Sequence, residues 1–245
     1  MQILNLEKGL FFQMGKGRNW RVVHPDMGAS QITLNHSIHD SGHEFPQHTH
    51  DDTEDAIVIL EGGASVRQGN IYTPVNAGEA VFVPSYEVHG TVNTTDKPAR
   101  LMSFQSPPDM ALYRGERDHS SSVGSPDIPK PENGHRSAVQ IITMAKGGPV
   151  FGDLGFWRSV VSPERGSKHL AMDYIKLGSG ESFDHEPVST EGIYVLTDGK
   201  AVVKSGGNKW ELVTYDVIFL VGNDRFSLSQ IGDAPTTLVH CWALE

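Results

Sequence analysis

The chain has 245 residues, of which 38% are hydrophobic and 20% are charged, and this composition excludes an intrinsically disordered protein. Acidic residues outnumber basic ones by 30 to 20, and the formal net charge of −10 argues against a nucleic-acid partner or an anionic membrane surface. Because the sequence has no membrane-span pattern, no secretory signal pattern and a single cysteine, Cys241, we expect a cytoplasmic protein.

Four short apolar runs predict β-strands. In chain order they are residues 56–60, 80–83, 193–196 and 217–221. They are rich in β-branched and aromatic residues and lie between turn signals, as strands of sandwiches and barrels do. The chain also contains 26 Gly and 14 Pro, and no long segment has the period of an amphipathic helix. We therefore predict an all-β fold.

The second half of the chain repeats the first at a constant offset of 137 residues. Trp20-Arg21 align with Trp157-Arg158, and Thr53-Glu54 align with Thr190-Glu191. In all, 18 of the 86 positions from 20 to 105 are identical, against about five expected by chance from average composition. The repeat predicts two domains of one fold.

The segment between the two copies has the composition of a linker. It contains a Ser-rich polar run at residues 118–126, which suits an exposed connection without a core of its own. We predict a first domain at residues 1–112, a linker at 113–140 and a second domain at 141–245.

Three histidines of the first copy form a candidate metal site. His48 and His50 are two positions apart, so on a strand their side chains point to the same face. A carboxylate follows at Glu54 or Asp55, and His89 comes after the next predicted strands. Three imidazoles and a carboxylate suit one divalent transition metal, which could be Fe, Mn, Ni, Co, Cu or Zn.

At these spacings the sequence resembles the cupin superfamily. The first cupin motif is matched by Gly42, His48, His50, Asp55 and Gly62, with Asp in place of the usual Glu. The second motif is matched by Gly78, Pro84, His89 and Asn93, with Tyr86 in place of an internal Gly. The resemblance implies two tandem cupin-type antiparallel β-barrels (the double-stranded β-helix or jelly roll), with a metal inside the first barrel.

The resemblance and the repeat bear on which carboxylate is the ligand. Asp55 has the motif spacing, and on one strand Asp55 and Glu54 point to opposite faces. The second copy retains Glu191 opposite Glu54, although it has Pro187, Gly192 and Phe226 in place of His50, Asp55 and His89. We therefore favour Asp55 as the fourth ligand over Glu54, with a three-histidine site as the remaining alternative.

The second copy is predicted to be a scaffold domain without metal. His185 is retained opposite His48, but Pro187 and Phe226 stand opposite His50 and His89. We expect Phe226 and Val221 to fill with apolar volume the space that the metal site occupies in the first copy.

Three further residues are weaker candidates for substrate binding. Gln47 and Tyr86 flank the predicted ligands, and Arg67 lies on a predicted strand from which its cation could bind a substrate carboxylate.

The cupin fold hosts many reactions, so the resemblance implies a site better than a function. We expect an enzyme that acts on a small organic molecule, such as a carboxylate, diketone, phenol or sugar-like compound, with a slight preference for a dioxygenase. A metal-dependent isomerase or lyase and a non-catalytic small-molecule binding protein are the alternatives. We further expect a homodimer, with no nucleic-acid and no membrane partner.

Overall fold

A computed structural model describes residues 1–13, 17–114, 137–146 and 156–245. Over these residues the chain forms 21 strands in antiparallel sheets, which confirms the predicted all-β fold. All four predicted strands are present, and the fourth ends one residue early, at Leu220. The described helices are short, and none of them is long and apolar enough to cross a membrane.

The strands that precede the predicted linker are β1 (Gln2–Asn5), β2 (Leu10–Phe12), β3 (Arg18–Val23), β4 (Thr33–His39), β5 (Glu44–His48), β6 (Glu54–Glu61), β7 (Gly63–Gln68), β8 (Ile71–Asn76), β9 (Glu79–Val83), β10 (His89–Val92) and β11 (Ala99–Ser106). Those that follow are β12 (Gln140–Thr143), β13 (Phe156–Val161), β14 (Leu170–Leu177), β15 (Ser182–His185), β16 (Gly192–Asp198), β17 (Lys200–Ser205), β18 (Asn208–Val213), β19 (Asp216–Leu220), β20 (Phe226–Gln230) and β21 (Thr236–Ala243). The α-helix α1 is Met110–Tyr113, and 3-10 turns occupy Leu6–Lys8, Pro25–Met27 and Pro163–Arg165.

Each half of the chain builds one large and one small sheet. In the first half a seven-stranded sheet, β12-β9-β6-β11-β4-β3-β2, accompanies a four-stranded sheet, β5-β10-β7-β8. In the second half a six-stranded sheet, β1-β19-β16-β21-β14-β13, accompanies a four-stranded sheet, β15-β20-β17-β18. The same strand order recurs in both halves, as the sequence repeat predicts.

The two halves exchange strands at their edges. β1 pairs with β19 of the second half, with Ile3 opposite Ile218, and β12 pairs with β9 of the first half, with Ile141 opposite Val81. The sheets therefore cross the predicted domain limits, while the division at residues 1–112, 113–140 and 141–245 stays a prediction. The Ser-rich run at 118–126 lies outside the described residues.

Side chains along β6 point alternately toward the second half of the chain and toward the interior of the first barrel. Ala56 and Val58 belong to a buried cluster that also contains Met172 and Phe219 of the second half. Ile57 belongs to a separate cluster of first-half residues. Because side chains alternate along a strand, Asp55 lies on the interior face with Ile57, whereas Glu54 faces the second half.

Glu54 and its counterpart Glu191 bind the opposite half. Glu54 accepts hydrogen bonds from Ser167 Oγ at 2.6 Å and from the backbone N–H groups of Lys168 and His169 at 2.9 Å. Glu191 likewise accepts from Ser30 Oγ at 2.7 Å and from the backbone N–H groups of Ser30, Gln31 and Ile32. These reciprocal contacts give Glu54 a structural role and explain why both copies retain a glutamate.

Candidate metal centre

The three histidines singled out in the sequence meet inside the first barrel. His48 ends β5 and His89 begins β10, and the antiparallel register places the two residues directly opposite each other. The Nε2 atoms of His48 and His50 are 3.2 Å apart. One ring nitrogen from each of the three histidines lies within 4.8 Å of the others, and all three side chains are buried.

Hydrogen bonds at the far side of each ring orient the three imidazoles. His48 Nδ1 lies 2.9 Å from the Pro46 carbonyl, and His89 Nδ1 lies 3.1 Å from the Glu87 carbonyl. Since a carbonyl only accepts, Nδ1 carries the proton and Nε2 presents its lone pair to the common point. Such outer hydrogen bonds are typical of metal-ligating histidines.

The donor set fits a metal ion. His89 Nε2 is buried and has no hydrogen-bond partner among the described residues, and a metal at the common point would satisfy it. Three neutral imidazoles suit the divalent transition metals. This site confirms the predicted cofactor, one divalent transition metal.

Asp55 lies beside the three imidazoles. Its Oδ2 is 3.8 Å from His50 Nε2 and 3.7 Å from His89 Nε2, and Ser103 Oγ donates to Oδ1 at 2.6 Å. Burial raises the pKa of Asp55, but the adjacent imidazoles of His89 and His50 and the hydrogen bond from Ser103 outweigh burial, so the net pKa lies below its usual value. The carboxylate is therefore ionised and positioned as a fourth donor.

Asp109 is part of the site although no sequence motif pointed to it. Its Oδ2 accepts a 2.9 Å hydrogen bond from His50 Nδ1, and its Oδ1 caps α1 by accepting from Leu112 N at 2.9 Å. Asp109 lies beyond both cupin motifs, so their spacing carries no signal for it.

We expect Asp109→Asn to weaken metal binding by about 10-fold to 100-fold, because a neutral amide makes His50 a less basic ligand. The dissociation constant for Mn(II) or Co(II), measured by titration calorimetry, tests this expectation. Asp40→Asn is the control, since the Asp40 side chain is 69% exposed and lies outside the site. Equal affinities for the Asp109 variant and the wild type would contradict it.

The corresponding region of the second half is filled by aromatic side chains. His185 donates to or accepts from Tyr194 OH at 3.1 Å and stacks on Phe226, with ring centroids 5.0 Å apart. His240 is buried and stacks on Tyr194 at 3.8 Å. Phe226 thus provides the predicted apolar filling, but Val221 does not, because it follows β19 and is 42% exposed.

A cavity of about 80 Å³ opens beside the three histidines. This is well above the roughly 10–15 Å³ that a single water needs, so the cavity has room for a small organic molecule. Its walls are mainly apolar and include Val23, Phe45, Ile57, Leu101 and Leu112. Polar side chains among the lining residues include Arg21, Asn35, His39, Ser103 and Gln105.

The three weaker substrate-binding candidates do not line this cavity. Tyr86 is 65% exposed and donates to Asp52 Oδ1 at 2.8 Å. Arg67 pairs with Glu44, and the Gln47 side-chain oxygen accepts from the Gly69 N–H. Gln47 precedes His48 on β5, so alternation along the strand directs it away from the site.

Comparisons with known proteins agree with this geometry. Residues 36–104 match the family model of the Cupin domain, and this segment contains all three histidines. The matched segment lies in the first half of the chain. No curated protein sequence matches the chain.

Solved cupin structures extend the likeness to both halves. A tryptophan-to-tyrosine variant of oxalate decarboxylase from Bacillus subtilis is similar over 99% of this chain and 77% of that chain, with 14% identity and a TM-score of 0.73. A two-residue deletion variant of the same enzyme is similar over 99% and 76%, with 15% identity and a TM-score of 0.73. A third structure, determined in a study of the Mn(II) centres of that enzyme, has 13% identity, coverage of 99% and 77% and a TM-score of 0.70. At this level of identity the likeness establishes the fold, two cupin-type jelly-roll barrels.

Proposed function

We propose that this cupin is a metal-dependent enzyme that acts on a small organic molecule in the first barrel, with His48, His50, His89 and Asp55 as the metal ligands. The convergence of three buried imidazole nitrogens beside a cavity that is lined by His48, Asp55 and His89 is the observation that carries the proposal. Neither a scaffold nor a storage protein needs such a site. A bound divalent metal would supply Lewis acidity toward a substrate oxygen and, as Fe(II), redox chemistry with dioxygen.

The chain's own residues provide for binding and proton transfer. The ionised Asp55 carboxylate beside the histidines can accept a proton from a substrate hydroxyl, while Ser103 holds its Oδ1 in place. Gln105 Nε2 lies 3.4 Å from Asp55 Oδ2 and is a donor for a substrate oxygen. The apolar walls exclude water from the reacting groups.

Within this proposal we favour a dioxygenase. Three neutral histidines leave three positions of an octahedral ion free, which suffices for a chelating substrate and dioxygen, and with Asp55 bound as well two positions are free for a substrate bound through one atom and dioxygen. A lyase is the second candidate, because the structural neighbours quoted above are oxalate decarboxylases. A homodimer and a cytoplasmic location stay predictions.

Oxygen consumption separates these functions. The protein loaded with Fe(II), Mn(II), Co(II) or Ni(II) would be incubated with a panel of hydroxy acids, diketones, catechols and 2-oxo acids, with an oxygen electrode and product analysis. A dioxygenase consumes one dioxygen for each substrate converted. Turnover without oxygen consumption supports the lyase or isomerase, and turnover that survives complete metal removal contradicts the proposal. A protein that binds ligands but converts none is a binding protein.

A further inference from the structure

We propose that Arg21 is a binding site for a carboxylate at the end of the cavity opposite the metal centre. This inference rests on the proposed function and narrows its substrate class to elongated acids. Such a ligand has a metal-binding group at one end, a carboxylate at the other and a largely apolar middle.

The guanidinium of Arg21 is held in place by aromatic rings. Its Cζ lies 5.0 Å from the ring centroid of Phe12 and 4.2 Å from that of Tyr113, and all three residues line the cavity. A planar guanidinium that stacks on rings leaves its N–H groups free in its own plane, where they can form paired hydrogen bonds to a carboxylate.

Arg21 also forms no ion pair with an aspartate or glutamate in the parts of the chain that the structure describes. Two other arginines of the first half are paired with carboxylates: Arg67 pairs with Glu44, and Arg100 pairs with Glu7 and Glu61. In a protein with a net charge of −10, a half-buried arginine beside a cavity and without an acidic partner points to an anionic ligand.

The sheet register gives the distance between the two ends. Arg21 on β3 is opposite Asn35 on β4, Asn35 is opposite Ser103 on β11, and Ser103 is opposite Ile57 on β6, two residues from Asp55. Three steps between neighbouring strands separate the backbones of Arg21 and Ile57 by about 14 Å along the sheet. This separation is longer than oxalate, and an acid with several carbons between its two ends fits it better.

The apolar residues between the two ends define the middle of the ligand. Ile57, Leu101 and Leu112 line the cavity and favour methylene or ring carbons over further charged groups. The site therefore takes an acid of medium length in preference to a compact dicarboxylate.

A series of linear dicarboxylates tests the inference directly. Binding of acetate, oxalate, succinate, glutarate, adipate and pimelate to the Mn(II)-loaded protein would be measured by titration calorimetry. We expect affinity to rise with length to a maximum between glutarate and pimelate. Arg21→Gln should weaken adipate binding at least 10-fold, because it removes a charge-assisted bond, and should leave acetate and oxalate binding unchanged. Arg21→Lys should restore part of the loss.

Arg18→Gln is the matched control, since Arg18 lies on the same strand but is 53% exposed and pairs with Asp40. Metal content and unfolding midpoint verify that the Arg21 variants are folded. A length series that peaks at oxalate, or an Arg21→Gln variant that binds adipate as the wild type does, overturns the inference. The test needs no turnover. If adipate binding depends on Arg21 but no substrate is converted, the carboxylate site is supported and the proposed enzyme is not. If a substrate is converted equally well by the wild type and by Arg21→Gln, the proposed enzyme is supported and the carboxylate site is not.

Discussion

His48→Ala is expected to abolish stoichiometric metal binding, whereas His185→Ala leaves it intact. The two residues occupy equivalent positions in the repeat, but only His48 shares its surroundings with two further imidazoles and a carboxylate. Mutation of a residue that hydrogen-bonds to a metal ligand typically weakens metal binding by about 10-fold to 100-fold. Loss of a ligand itself should weaken it by more than about 100-fold. His185 instead contacts Tyr194 and Phe226, so its replacement costs packing and one hydrogen bond.

Metal content and metal-dependent stability measure the difference. Elemental analysis should find about one metal per chain in the wild type and in His185→Ala, and close to none in His48→Ala. Free metal at about 100 times the wild-type dissociation constant should stabilise the wild type by about 2.7 kcal/mol and the His48 variant by less than about 0.4 kcal/mol. Full metal occupancy in His48→Ala, or its loss in His185→Ala alone, would place the metal elsewhere.

The sequence contained the information for the histidines because of their local geometry. His48 and His50 are read from the period of a strand, and His89 from its spacing in a second motif. The choice of Asp55 over Glu54 also came from strand alternation together with the repeat. Each of these inferences needed only the alternation of side chains along a strand and one pairing between neighbouring strands.

The parts that could not be predicted depend on contacts distant in sequence. Asp109 reaches His50 from 59 residues away, and Arg21 faces the cavity only because β3 continues the large sheet beyond β4. The pairing of β1 with β19 joins segments more than 200 residues apart, and four-residue strands carry too little pattern to name a partner. Gln47 and Tyr86 become substrate-binding candidates because they are close in sequence to predicted ligands. Such neighbours in sequence need not point to the same side of the strand as the ligands do.

The adjacent pair Glu54 and Asp55 should separate stability from metal binding. Glu54→Ala removes the acceptor of the Lys168 and His169 backbone N–H groups and leaves the Ser167 hydroxyl with only the Leu170 carbonyl as acceptor. Removing one member of such a buried, charge-assisted set typically costs about 3 kcal/mol of unfolding free energy. We expect this loss in the metal-free protein, with the metal dissociation constant unchanged, because the Glu54 side chain faces the second half.

Asp55→Asn should do the opposite. It removes an ionised donor that lies 3.7–3.8 Å from two of the imidazoles, so metal affinity should fall, while the amide keeps the size of the side chain and an acceptor for Ser103. Glu191→Ala is the matched control for Glu54→Ala, since it removes the equivalent contacts made by the second half, where the described residues include no cluster that could hold a metal. Denaturant unfolding of the metal-free variants and metal titration of each give the two quantities separately. If Glu54→Ala lost metal and Asp55→Asn retained it, Glu54 would be the metal ligand and Asp55 the structural residue. The Glu54 side chain would then have to face the interior of the first barrel and the Asp55 side chain the second half.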